Sequence, residues 1–146
     1  MFRANQKAVF AYFLRVVGDR QDAEELTQET FVRACGAALR FRGDSSVRTW
    51  LFGIARRVLL EAARAGLFER PAEFTDRPAP ADDADERMDL ERALASLGVG
   101  DREALVMVDV LGFGPTEAAG IIGVTPEAMR VRLHRARGRL REAYGR

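Results

Sequence analysis

Three chemically versatile residue types are almost missing from this chain. It has one cysteine, Cys35, one histidine, His134, and one lysine, Lys7, in 146 residues. A single cysteine closes no internal disulfide and supplies no thiol pair for a metal. A single histidine with no thiol beside it leaves a zinc site short of ligands. No apolar run approaches the roughly 20 residues that span a bilayer, which argues against membrane insertion. The first residues lack the basic, apolar and small-residue order of a signal peptide. These absences favour the cytoplasm. No nucleophile–base pair, metal set or phosphate loop can be found, so neither an enzyme nor a cofactor is expected. Strand-like alternation is also missing.

Arginine is abundant and unevenly placed. Residues 33–64 carry seven arginines against Asp44 and Glu61, a net of +5. Residues 66–91 carry nine acids against three arginines, a net of −6. Residues 127–146 return to seven arginines against Glu127 and Glu142. Two basic blocks separated by an acidic one suggest two contacts with a polyanion.

Apolar spacing predicts helices over most of the chain. Val9, Phe10, Phe13, Val16 and Val17 mark one at 4–18, ending before Gly18. Asp19 is placed to cap a second, 21–38, which buries Ala23, Leu26, Thr30, Phe31, Ala34 and Ala38. "FRGDSS" at 41–46 reads as a loop. A third helix starts near Val47, with Trp50, Leu51, Ile54, Val58 and Leu59 on its apolar stripe. The three prolines and many acids of "ERPAEFTDRPAPADDADER" then read as a flexible linker. Helices resume at 88–97, and Asp101 is expected to cap the next. Pro115 opens a short helix to 122, and Thr125 and Pro126 open the last, 126–143. The expected fold is all-α: a domain at 1–65, a linker at 66–87 and a domain at 88–146, the second containing a helix-turn-helix.

In that motif, helix 115–122, a turn at Gly123 and the basic helix follow in sequence. Met129, Leu133, Ala136 and Leu140 form the core side of the last helix. Glu127, Val131, His134 and Arg135 fall opposite, flanked by Arg130 and Arg137. Near-uniform positive sign on one helix is self-repulsive unless a polyanion relieves it. Positions near the helix start suit base edges, while Arg137, Arg139 and Arg141 suit phosphates. The first domain differs. Asp22, Glu25, Gln28 and Glu29 give helix 21–38 an acidic face, either solvated or a dock for a basic partner. "FRGDSSVRTWLFGIARR" interleaves Phe41, Trp50 and Phe52 with arginines, a pattern suited to single-stranded nucleic acid. Trp50 lies in the apolar stripe and is expected to be buried. Phe52, one step off the stripe, is expected to be freer.

"DAEELTQETFVRA" (22–34), "TWLFGIARR" (49–57) and "GVTPEAMRVRLHRARGRLRE" (123–142) occur in this order around an acidic connector. Together they resemble the bacterial sigma factors of the extracytoplasmic-function group. The resemblance implies docking of Glu25, Leu26, Gln28 and Glu29 on the clamp helices of the RNA polymerase largest subunit. It implies capture of the unwound −10 element near Arg48, Trp50, Phe52, Arg56 and Arg57. It places Thr125, Glu127, Arg130, Val131, Arg132, His134 and Arg135 against the −35 duplex. The implied partners are core RNA polymerase, through clamp helices and flap, promoter DNA and an anti-sigma factor. The chain departs from the family pattern with Arg57 in a slot often held by Asn, and with Gly98 where Pro is usual. A stand-alone helix-turn-helix regulator would explain 101–143 but leave the acidic face and 41–57 unused. A sigma-like decoy for an anti-sigma protein would not need the arginines of the last helix.

Overall fold

The computed structural model describes residues 3–43, 45–66 and 90–144. The expected linker, 66–87, lies outside the described residues from position 67 onward. Among the described residues all regular structure is helical, as expected, and no helix is long and apolar enough to cross a membrane. The chain divides into two compact units, Met1–Phe68 and Glu69–Arg146.

In the first unit α1 (Arg3–Val17), α2 (Arg20–Ala37) and α3 (Val47–Arg64) pack on one another. Asp19 caps α2, its carboxylate accepting from the Asp22 N–H at 2.9 Å. Ser46 caps α3 by accepting from the Thr49 N–H at 3.0 Å. Each cap satisfies an N–H that the helix itself leaves unpaired. A single 3-10 turn, Ala38–Arg40, leads from α2 into the loop before α3. Two threonines sit on the core side of α2 because their hydroxyls bond back along the helix. Thr27 Oγ1 donates to the Ala23 carbonyl at 2.7 Å and Thr30 Oγ1 to Leu26 at 2.8 Å, so neither is buried unsatisfied.

The core of this unit is aromatic. Tyr12 lies 5.2 Å from Phe13 and meets Phe52 edge-on at 5.5 Å between centroids. Phe52 is 0% exposed, against the expectation that it would be free. The reason is that α3 packs on both α1 and α2. Leu51, Phe52, Ile54, Ala55, Val58, Leu59, Ala62 and Ala63 are all buried. At 3.6 residues per turn they cover an arc of roughly 180°. A single stripe of apolar residues underestimates such a helix.

The second unit contains α4 (Leu90–Ala95), α5 (Val99–Leu105), α6 (Pro115–Ile122) and α7 (Pro126–Tyr144). The helix of α5 continues as a π-helical stretch, Val106–Val110, where the Leu111 N–H reaches back to the Val106 carbonyl at 2.8 Å. Buried Arg102 ends α4 by donating from Nε to the Leu94 carbonyl at 3.0 Å and from Nη2 to Leu97 at 2.7 Å. A cation there complements the negative end of the helix and takes up its orphan carbonyls. The core draws on Ala93, Leu94, Leu97, Leu105, Met107, Phe113, Ile122, Met129, Leu133 and Ala136.

Asp101 is not the cap expected of it. The cap position falls three residues earlier, at Gly98, and Asp101 is fully buried inside the helix. Beyond α6, Gly123 turns the chain at φ 87° and its N–H closes on the Ala119 carbonyl at 2.8 Å. That left-handed conformation suits glycine. Thr125 Oγ1 then accepts from the Ala128 N–H at 3.1 Å, capping α7 one residue ahead of Pro126.

Candidate nucleic-acid interface

The last helix sorts its side chains by angle. Met129, Leu133 and Ala136 are buried, and Leu140 is half-buried in the same stripe. Glu127, Arg130, Val131, His134 and Arg141 are exposed, with Val131 at 62%. Those five span roughly 100° of the outer surface. Arg132 is half-buried, and Thr125 remains exposed while serving as the cap.

Arg135 does not join that outer surface. Its Nη2 lies 3.1 Å from Asp101 Oδ1, and Arg139 Nη1 lies 2.7 Å from Asp101 Oδ2. One buried carboxylate of α5 thus holds two arginines one turn apart on α7. The helical count set Arg135 opposite the core because that count contains no information about a carboxylate 34 positions upstream. On the other edge, Arg137 makes a two-pronged contact with Asp109, Nε to Oδ2 at 2.9 Å and Nη2 to Oδ1 at 2.7 Å. Hydrogen bonding to Asp109 raises the Arg137 pKa. Arg135, Arg137 and Arg139 therefore fasten the helix to its own unit as well as adding to its charge.

In the first unit the expected −10 residues do not gather in one place. Trp50 and Arg57 lie on the outer arc of α3, roughly 140–160° around the helix from Phe52, whereas Arg48 and Arg56 sit one turn before and after Phe52 on its own side. Trp50 is half-buried, its ring centroid 5.0 Å from that of Phe41 across the loop. Arg48 and Arg56 are half-buried, and Arg57 is exposed with Nε donating to the Gly53 carbonyl at 3.4 Å.

The acidic face of α2 is real but narrower than expected. Glu25, Gln28 and Glu29 are exposed, whereas Leu26 is 8% exposed and belongs to the core. Arg33 ties this face to α3. Its Nε meets Glu29 at 2.8 Å, and its Nη1 and Nη2 grip both oxygens of Glu61 at 2.8 and 2.9 Å. Hydrogen bonding to Arg33 holds Glu61 below the usual carboxylate range, and its two carboxylates raise Arg33 further above its ordinary value. Two apolar residues were overlooked. Val32, 67% exposed, continues the line of Glu25 and Gln28 along α2, and the same angular count that found the acids contains it. Leu39, fully exposed, lies in the 3-10 turn that follows α2. Isolated exposed apolar side chains are ordinary, but one aligned with an acidic face extends that face.

Comparison with known proteins follows the same division. Residues 1–66 match the family model "Sigma-70 region 2", and residues 87–140 match "Sigma-70, region 4". The chain is 34% identical over 145 residues to the ECF RNA polymerase sigma factor SigC of Mycobacterium tuberculosis, covering 94% of this chain and 78% of that one. It is 31% identical over 136 residues to the RNA polymerase sigma factor CnrH of Cupriavidus metallidurans, covering 82% and 71%. Among solved structures, the sigma factor RpoE of Bartonella quintana, in complex with the anti-sigma factor NepR, superposes with a TM-score of 0.75. That match has 27% identity and covers 94% of this chain and 90% of RpoE. With helical units matching regions 2 and 4 in order, the chain belongs to the extracytoplasmic-function RNA polymerase sigma factors.

Proposed function

We propose that this sigma factor divides its work among three surfaces. Exposed Glu25, Gln28 and Glu29 of α2, extended by Val32 and Leu39, dock on the clamp helices of the RNA polymerase largest subunit. The mixed character of that face supports the reading, since acids steer a basic partner and exposed apolar side chains add buried area. The loop before α3, the outer arc of α3 with Trp50 and Arg57, and Arg48 and Arg56 at the edge of its packed side receive the unwound −10 element. Phe41 against Trp50 offers an aromatic surface for an unstacked base. Phe52 supports this region from the core and does not face DNA.

Region 4 reads the −35 duplex through the start of α7. Glu127, Arg130, Val131 and His134 face outward there, with Thr125 and Arg132 beside them. Arg135 acts as a positioning residue, held by Asp101. The observation that carries the reading is the exposed basic arc of α7 entered from a helix–glycine–helix turn, in a chain that also carries region 2. An anti-sigma partner would act by covering these faces; the relative RpoE is known in complex with such a partner, NepR.

Run-off transcription with purified core polymerase tests the whole. The expected outcome is initiation from a defined promoter only when this chain is added. Gln28→Ala combined with Val32→Ala should reduce both polymerase pull-down and transcript. Full pull-down with the double variant would remove the α2 assignment.

A further inference from the structure

Asp101 and Asp109, which both hold arginines of α7, differ in one respect. Asp101 is fully buried, and its pairs are part of the packing. Asp109 and Arg137 are 40% and 43% exposed, so their pair is open to water and to any competing anion. Arg137 also shares one line of the helix with Arg130 and Arg141, separated from them by seven and four residues. The acid therefore sits beside the middle of an outward basic stripe.

We propose that Asp109 is a built-in competitor of a DNA phosphate for Arg137. A guanidinium meets a carboxylate and a phosphate with the same planar two-pronged geometry. The 2.7 and 2.9 Å contacts show the Arg137 fork already aligned for such an anion. When α7 approaches a duplex, Arg137 exchanges the carboxylate for the phosphate, and Asp109 is left facing the DNA backbone. The exchange lowers the affinity of region 4 for duplex of any sequence. Discrimination then rests on residues at the start of the helix, because backbone contacts carry no sequence information. This inference rests on the reading of α7 as the duplex-binding helix.

The test uses the full chain and a fluorescent random-sequence 25-base-pair duplex, with anisotropy titrations across a salt series. Asp109→Asn should tighten binding by up to about 5-fold, the range of an exposed ion pair. Asp109→Ser should do the same by removing the planar acceptor as well. In the Asp109→Asn background, Arg137→Ala should make the salt slope shallower by about 0.9, the loss of one phosphate contact. If the tightening persists in the Arg137→Ala background, Asp109 acts only through long-range charge and the competition is refuted. An unchanged slope after Arg137→Ala in the Asp109→Asn background refutes the phosphate contact. Absence of salt-dependent binding by the parent chain would overturn the duplex reading itself. Normal parent binding with no response to Asp109→Asn would overturn this inference alone.

Discussion

Replacing Asp101 by asparagine should destabilise the second unit while leaving the first unchanged. The Asp101 side chain is 0% exposed, and those of Arg135 and Arg139 are 31% and 32% exposed. Asparagine keeps the shape but removes the charge and turns an amide N–H₂ toward a guanidinium. Removing one partner of a buried ion pair costs about 3–5 kcal/mol. Because both arginines reach solvent, part of their lost interaction is recovered from water, and about 2–4 kcal/mol is the expected loss. A unit of roughly 55 residues has only about 3–8 kcal/mol of total stability, so the change consumes much of it. Urea titration separates the two units conveniently. Trp50, the only tryptophan, lies in α3 and reports on the first unit, whereas far-UV circular dichroism reports on both. In Asp101→Asn the dichroism transition should split, with an early loss of helix, while the fluorescence midpoint stays at its parental value. A variant whose second unit melts within about 0.5 kcal/mol of the parent would refute the reasoning, because surface substitutions fall in that range.

Two further outcomes follow from the first unit. Phe52→Ala should destabilise that unit by about 3–5 kcal/mol by leaving a cavity beside Tyr12, whereas Phe52→Leu should largely restore stability and transcription. A stable Phe52→Ala protein that had lost only DNA binding would return Phe52 to the −10 surface. The depressed pKa of Glu61 means that its contribution to stability is present above the ordinary carboxylate value and is lost as pH falls through the lower folded value. Glu61→Gln should therefore flatten part of the loss in urea midpoint as pH falls below the ordinary carboxylate value, a difference that parallel titrations of parent and variant would reveal.

How much of this was legible in the sequence depended on distance along the chain. The caps Asp19 and Thr125, the turn at Gly123 and the start at Pro115 were all visible, since each rests on residues within one turn of one another. The all-α fold followed from the same local signals. Phe52 and Arg135 were misplaced for a common physical reason. Their surroundings are set by other helices: α1 and α2 enclose Phe52, and Asp101 takes Arg135. Leu26 was placed in the core by its apolar spacing, and it lies there; only the family resemblance set it on the docking face. Asp101 shows the converse, since an acid near a helix start resembles a cap until its partners 34 and 38 residues away are known. Val32 is different again, since the angular count along α2 contains it although it carries no charge. Leu39 lies beyond the helix, in the 3-10 turn, where that count ends.

The Arg33 fork joins the two working faces of the first unit. One guanidinium clasps Glu29 of α2 and both oxygens of Glu61 on α3, so the two helices are tied at their surfaces as well as through the core. In the proposed assignment the polymerase-facing side of α2 and the DNA-facing side of α3 then share one ion-pair cluster. Seating the protein on its large partner would thereby set where the melted strand is received, with no separate adjustment of the loop between them.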